Sequence, residues 1–153
     1  MPRLAKLASQ ALSDIRRLGQ PDSPTGRALL RAAWELAIAR WRLATSTPAD
    51  LLAVAPKVHN RTNDIGTQAK RVASAVAAMG ARVPWRSDCL VQALAGQRWL
   101  ARLGIASDLH IGVQRPTEAR LDAHAWLTVG EEVVIGGETG AYAPLVTPDR
   151  HRR

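Results

Sequence analysis

The sequence predicts an α+β domain: a helical N-terminal half, then a cysteine-bearing helix packed on a small antiparallel sheet. Three observations lead there. Apolar residues recur at three- and four-residue steps from Leu4 to about Leu103, the spacing of helices. After Gly104 the pattern switches to alternation, the spacing of strands. The helices all precede the strands.

The elements follow in order. Leu4, Leu7, Ala8, Ala11, Leu12, Ile15 and Leu18 define a first helix that Gly19 and Pro21 end. A second runs from Pro24-Thr25-Gly26 to about Ala44, with Leu29, Leu30, Ala33, Trp34, Ala37, Ile38 and Trp41 as its expected buried face. Thr47-Pro48-Ala49-Asp50 reads as the opening of a short helix closed by Pro56, and the polar run from His59 to Asp64 as a connector. The next helix spans Ile65 to Met79, ended by Gly80 and Pro84. The cysteine helix spans Asp88 to Leu103, with Ser87 or Asp88 as its cap and Gly104 as its stop.

Leu109, Ile111 and Val113 alternate with His110 and Gly112, which predicts a strand within Ile105–Val113. A polar loop over 114–120 leads to a second strand from Ala123 to Val129, with His124, Trp126 and Thr128 on one face. Gly130-Glu131 signals a turn into a third strand, Glu132 to Ile135. Gly136-Gly137 ends it, and the remainder reads as a loop-rich tail. The organisation expected is a helical region, 1–83, and a core, 84–153, within one compact unit.

Composition narrows the functional classes. With 153 residues, 46% hydrophobic and 22% charged, the chain suits one folded domain rather than a disordered segment. There is no phenylalanine, so aromatic packing is expected to rest on Trp34, Trp41, Trp85, Trp99, Trp126 and Tyr142. One cysteine excludes an internal disulfide and suggests a reducing cytoplasm. The opening Met1-Pro2-Arg3-Leu4 lacks a signal peptide's apolar region, and no run approaches the roughly 18 apolar residues that a membrane span requires. The net charge of +8 suits an acidic partner. The arginines are scattered over helix faces, without zinc-finger spacing or an RNA-recognition motif, which argues against nucleic acid. No HExxH run or cysteine cluster calls for a metal, and nothing calls for a cofactor.

The chemistry lies in the second half. Cys89 falls in the first turn of its helix, where unpaired N–H groups and the helix dipole favour an anion. A thiolate is the form of cysteine that attacks carbonyls. His124, on the second strand, is the candidate base. Papain-like and transglutaminase-like folds use this order of cysteine helix and histidine strand. Against it stands the plain reading, in which a lone cysteine is a small hydrophobe and a strand histidine a surface residue. His59 and His151 read as surface groups and His110 as a possible support behind the site. Trp85, beside Cys89, and Trp126 are candidate substrate-binding residues.

The run Trp85-Arg86-Ser87-Asp88-Cys89-Leu90, with Leu103-Gly104-Ile105, Ile111-Gly112-Val113 and Ala123-His124-Ala125-Trp126, resembles the transglutaminase-like leader peptidases of lasso-peptide biosynthesis. The resemblance covers about residues 84–137. It implies a cysteine protease that removes the leader from a ribosomally made precursor before a lasso cyclase closes the ring, with Cys89 as nucleophile and His124 as base. It also implies a separate leader-recognition protein, with the helical first half as the docking surface for that partner and the precursor leader peptide. The family's aspartate, twelve positions after the histidine, is Gly136 here. Asp122 and Glu138 are the candidate carboxylates in its place, and a backbone carbonyl or an amide is the other option. Acyl transfer to an amine and a non-catalytic scaffold remain as alternatives.

Overall fold

The computed structural model describes residues 24–47, 64–114, 122–137, 139–140 and 142–146. The expected helix over 4–18, the short helix after Thr47, His59, His151 and Glu138 lie outside them. Among the described residues three helices come first: α1 (Gly26–Thr45), α2 (Ile65–Gly80) and α3 (Cys89–Arg102). Four strands follow: β1 (Asp108–Gln114), β2 (Asp122–Val129), β3 (Glu132–Ile135) and β4 (Ala143–Val146). They form one antiparallel sheet in the order β3-β2-β1-β4. The arrangement is α+β, as the change of period predicts.

Two helix starts and one stop have a clear local cause. The Thr25 hydroxyl accepts from the Ala28 N–H at the start of α1. At α3 the Asp88 carboxylate accepts from the Val91 N–H at 3.2 Å, so the aspartate rather than Ser87 is the cap. Beyond α3 the Ile105 N–H returns to the Leu100 carbonyl, turning the chain back toward β1.

The core lies between the helices and one sheet face. Ala32, Leu36 and Ala39 of α1 join Ala69, Val72, Ala75 and Val76 of α2, and Val91, Leu94 and Leu100 of α3. The sheet contributes Leu109, Ala125, Leu127 and Ile135. Gly96 has no side chain to hold off Leu127 and Ile135, so α3 seats directly on β2 and β3. Burying a side chain such as Leu127 or Leu100 contributes roughly 1.5–3 kcal/mol.

Two expectations need correction. The period of α1 is right but its phase is not. Leu30, Trp34 and Trp41 are exposed, the tryptophans by 60% and 66%, while Ala32, Glu35, Leu36 and Ala39 face inward. A glutamate sits at the centre of the true buried face. Glu35 is 0% exposed, and its carboxylate takes Arg31 and Arg98 at 2.8 Å each, with Arg102 at 4.0 Å. This pairing clamps α1 to α3 and makes the burial of the charge tolerable. The second correction is β4, which occupies part of what the sequence suggested was loop. It pairs with the free edge of β1, Val113 opposite Ala143 and Gly112 opposite Pro144. A proline is admissible there because an outer strand need not donate every N–H. Among the described residues no helix is long and apolar enough to cross a membrane.

Candidate active site

The chain passes from α3 to β1 through residues 103–107. Helix and strand are each about 20 Å long, from rises of 1.5 and roughly 3.3 Å per residue. At the far end of β1, Gln114 pairs with Asp122 and Gly112 with His124. Cys89 is the first residue of α3, half-buried and a free thiol. In its turn the Val91 N–H is held by the Asp88 side chain and the Gln92 N–H by the Asp88 carbonyl. The N–H groups of Cys89 and Leu90 have no intrahelical acceptor at such positions.

His124 stands on the face of β2 that alternates with the core residues Ala125 and Leu127. Its Nε2–H donates to the Gly136 carbonyl at 2.5 Å. A carbonyl oxygen can only accept, so Nε2 carries the proton of the neutral ring and Nδ1 is the basic nitrogen. The residue at the position expected of an aspartate thus does act on the histidine, through its backbone. Gly136 has φ +111, a conformation that side chains rarely adopt. A Cβ there would collide with that of Trp126, 2.8 Å from the Trp126 Cα and 3.0 Å from the Ala125 oxygen.

Two rings neighbour the imidazole. The Trp126 ring stacks at 6.1 Å and 21°, and the Tyr142 ring lies 4.8 Å away at 31°. His110 stacks on Trp126 at 5.5 Å, and its Nε2 meets the Thr128 hydroxyl at 3.1 Å. Trp126 itself is only 8% exposed. Its ring stacks beside the histidine and leaves little surface exposed. Trp85 is half-buried against the core, and its indole nitrogen is buried without a hydrogen-bond partner.

Asp122 does not orient the imidazole directly. Its Oδ2 accepts from the Tyr142 hydroxyl at 3.0 Å and from Gln114 Nε2 at 3.1 Å. The hydrogen bond to Asp122 raises the Tyr142 pKa above its ordinary 10.0, helped by partial burial and by the negative charges of Asp122 and Cys89. Tyr142 is thus within electrostatic reach of the thiol and in ring contact with the imidazole. Sequence reasoning missed it because its position depends on β4. Its one signal was being the sole tyrosine.

Among the described residues no group of three or more acidic, histidine or cysteine side chains is placed to hold a metal. The arrangement offers a thiol at a helix start, an imidazole of fixed tautomer and backbone donors beside the sulfur, which is equipment for acyl chemistry. A family model described as the transglutaminase-like superfamily matches residues 28–147, which takes in α1 from its third residue, α2, α3 and the sheet. No curated protein and no solved structure matches the chain.

Proposed function

This chain belongs to the transglutaminase-like superfamily, a group of cysteine-peptidase and acyltransferase type, and from that premise we propose that it is a cysteine peptidase that removes the leader from a ribosomally made lasso-peptide precursor. The observation that carries the reading is the bond from His124 Nε2–H to the Gly136 carbonyl, which leaves Nδ1 as the basic nitrogen. In the proposed cycle Nδ1 takes the Cys89 proton and the sulfur attacks the scissile carbonyl. The N–H groups at the start of α3 receive the oxyanion. The imidazolium then protonates the departing amine, and water releases the acyl group by the reverse sequence. The motif run from Trp85 to Trp126 supports the choice of substrate.

The helical region before residue 84 is proposed to dock a separate leader-recognition protein and the leader peptide, handing the freed core to a lasso cyclase in the cytoplasm. The chain's charge of +8 suits an acidic leader, so that docking weakens as salt rises. The test is incubation with precursor and recognition partner, followed by mass spectrometry. Hydrolysis adds water at the cut, whereas acyl transfer to a supplied amine adds the amine. Cys89→Ala and His124→Ala abolish cleavage. Cleavage retained by Cys89→Ala refutes the assignment.

A further inference from the structure

The imidazole has a partner that neither the family pattern nor the peptidase reading assigns. Extending the β1–β4 register by one residue puts Tyr142 opposite Gln114, which pairs with Asp122 on the other side. Tyr142, Gln114 and Asp122 then form one row across three strands, and the hydrogen bonds follow that row: both Tyr142 and Gln114 donate to Asp122 Oδ2. The next position of β1 on the same face is Gly112, opposite His124. It carries no side chain, so the rings from either flank can lie across it, and the Trp126 ring does so. The approach to β4 is itself fixed, since the Tyr142 N–H donates to the Thr139 carbonyl at 3.1 Å.

From this geometry we propose that Tyr142, latched by its hydroxyl to Asp122, is a positioning residue that holds the His124 ring against Trp126 in the rotamer bonded to the Gly136 carbonyl. It acts through the histidine. The division of labour is specific: Gly136 fixes the tautomer, while Tyr142 closes the open side of the ring and prevents its rotation away from the Gly136 carbonyl. Asp122 supports the base at one remove, as the anchor of the tyrosine. A histidine so near a strand's exposed start otherwise samples several rotamers, and only one is productive.

The inference rests on the Cys89–His124 reading, so its test must separate the two. The probe is alkylation of Cys89, the sole cysteine, by iodoacetamide near neutral pH in the full chain; it needs no precursor. Near-ultraviolet circular dichroism checks the fold of each variant. His124→Ala slows alkylation and sets the scale of base assistance. Tyr142→Ala slows it about tenfold, and Tyr142→Phe, which keeps the ring and loses the latch, about threefold. Asp122→Asn matches Tyr142→Phe, and combining the two adds little because both break one bond. The nitrogen-15 spectrum of the His124 ring, protonated at Nε2 in the wild type, shows tautomer averaging in Tyr142→Ala. Wild-type alkylation in Tyr142→Ala and Tyr142→Phe, with His124→Ala slowed, overturns the inference and leaves the Cys–His pair standing. Wild-type alkylation in His124→Ala overturns both.

Discussion

Replacing Gly136 by alanine tests the core of the site, because one methyl group strikes both the fold and the base. At φ +111 a residue with a Cβ carries backbone strain of roughly 1–3 kcal/mol. The methyl also meets the Trp126 Cα at 2.8 Å and the Ala125 oxygen at 3.0 Å, main-chain atoms that cannot turn aside as a flexible side chain would. Overpacking of this kind adds roughly 1–3 kcal/mol. A combined loss near 4 kcal/mol lowers the Tm of a domain this size by about 8–16 °C. Relief comes from moving residue 136, which lengthens the 2.5 Å bond to His124 Nε2. Losing a hydrogen bond of about 0.5–1.5 kcal/mol slows the base-assisted step roughly 2- to 12-fold. Thermal melting followed by circular dichroism reads the first effect, and iodoacetamide alkylation of Cys89 at a temperature where the variant is folded reads the second. A Gly136→Ala chain that melts within about 1 °C of the wild type, with an unchanged alkylation rate, refutes both the strain argument and the carbonyl's role.

Three further outcomes follow from other parts of the structure. Tyr142 is the only tyrosine, so near-ultraviolet absorbance against pH reports its ionisation alone, with a midpoint above 10.0 that falls in Asp122→Asn. Because the fold favours the neutral phenol, this group's contribution to stability is intact below the free-tyrosine value and is lost as pH rises through the higher folded one. Glu35→Ala leaves Arg31 and Arg98 without their shared carboxylate, and since both arginines reach some solvent the loss is about 2–3 kcal/mol, read as a lower urea midpoint. Trp34→Ala changes stability by less than about 1 kcal/mol, whereas Leu36→Ala lowers it by roughly 2–5 kcal/mol; equal losses in the two melts contradict the observed phase of α1.

What the chain announces in its sequence is period, and what it conceals is phase and partnership. The steps of three and four that define α1 hold over most of its length, but the large tryptophans suggested the wrong side of it. Hydrophobicity alone favours Trp34 and Trp41, and Glu35 marks the opposite face as polar until Arg31 and Arg98 are seen to neutralise it. The strand β4 escaped notice because four residues including a proline give no alternating signal, and its pairing edge is supplied by β1 from thirty residues away. The cysteine and histidine stood out for a chemical reason. Each is a reactive group set in an otherwise regular apolar context, one just past a capping aspartate and one near the start of a strand. The groups that act on them did not stand out, since a carbonyl belongs to every residue and Tyr142 reaches His124 only through β4.

A carboxylate beside a catalytic histidine does two things: it fixes the tautomer and it stabilises the imidazolium. Here the two are divided. The Gly136 carbonyl fixes the tautomer with a partial charge only, and Asp122, on the same face of β2, is bonded to Tyr142 and Gln114. Restoring an aspartate at 136 is therefore not a repair. The side chain would have to leave a Cα at φ +111 into the space of Trp126, and in moving aside would withdraw the very carbonyl that Nε2 uses. Gly136→Asp accordingly reduces Cys89 alkylation at least as far as Gly136→Ala does, despite adding a negative charge near the imidazole. A faster reaction in Gly136→Asp than in Gly136→Ala would mean that charge, rather than direction, is what this histidine lacks.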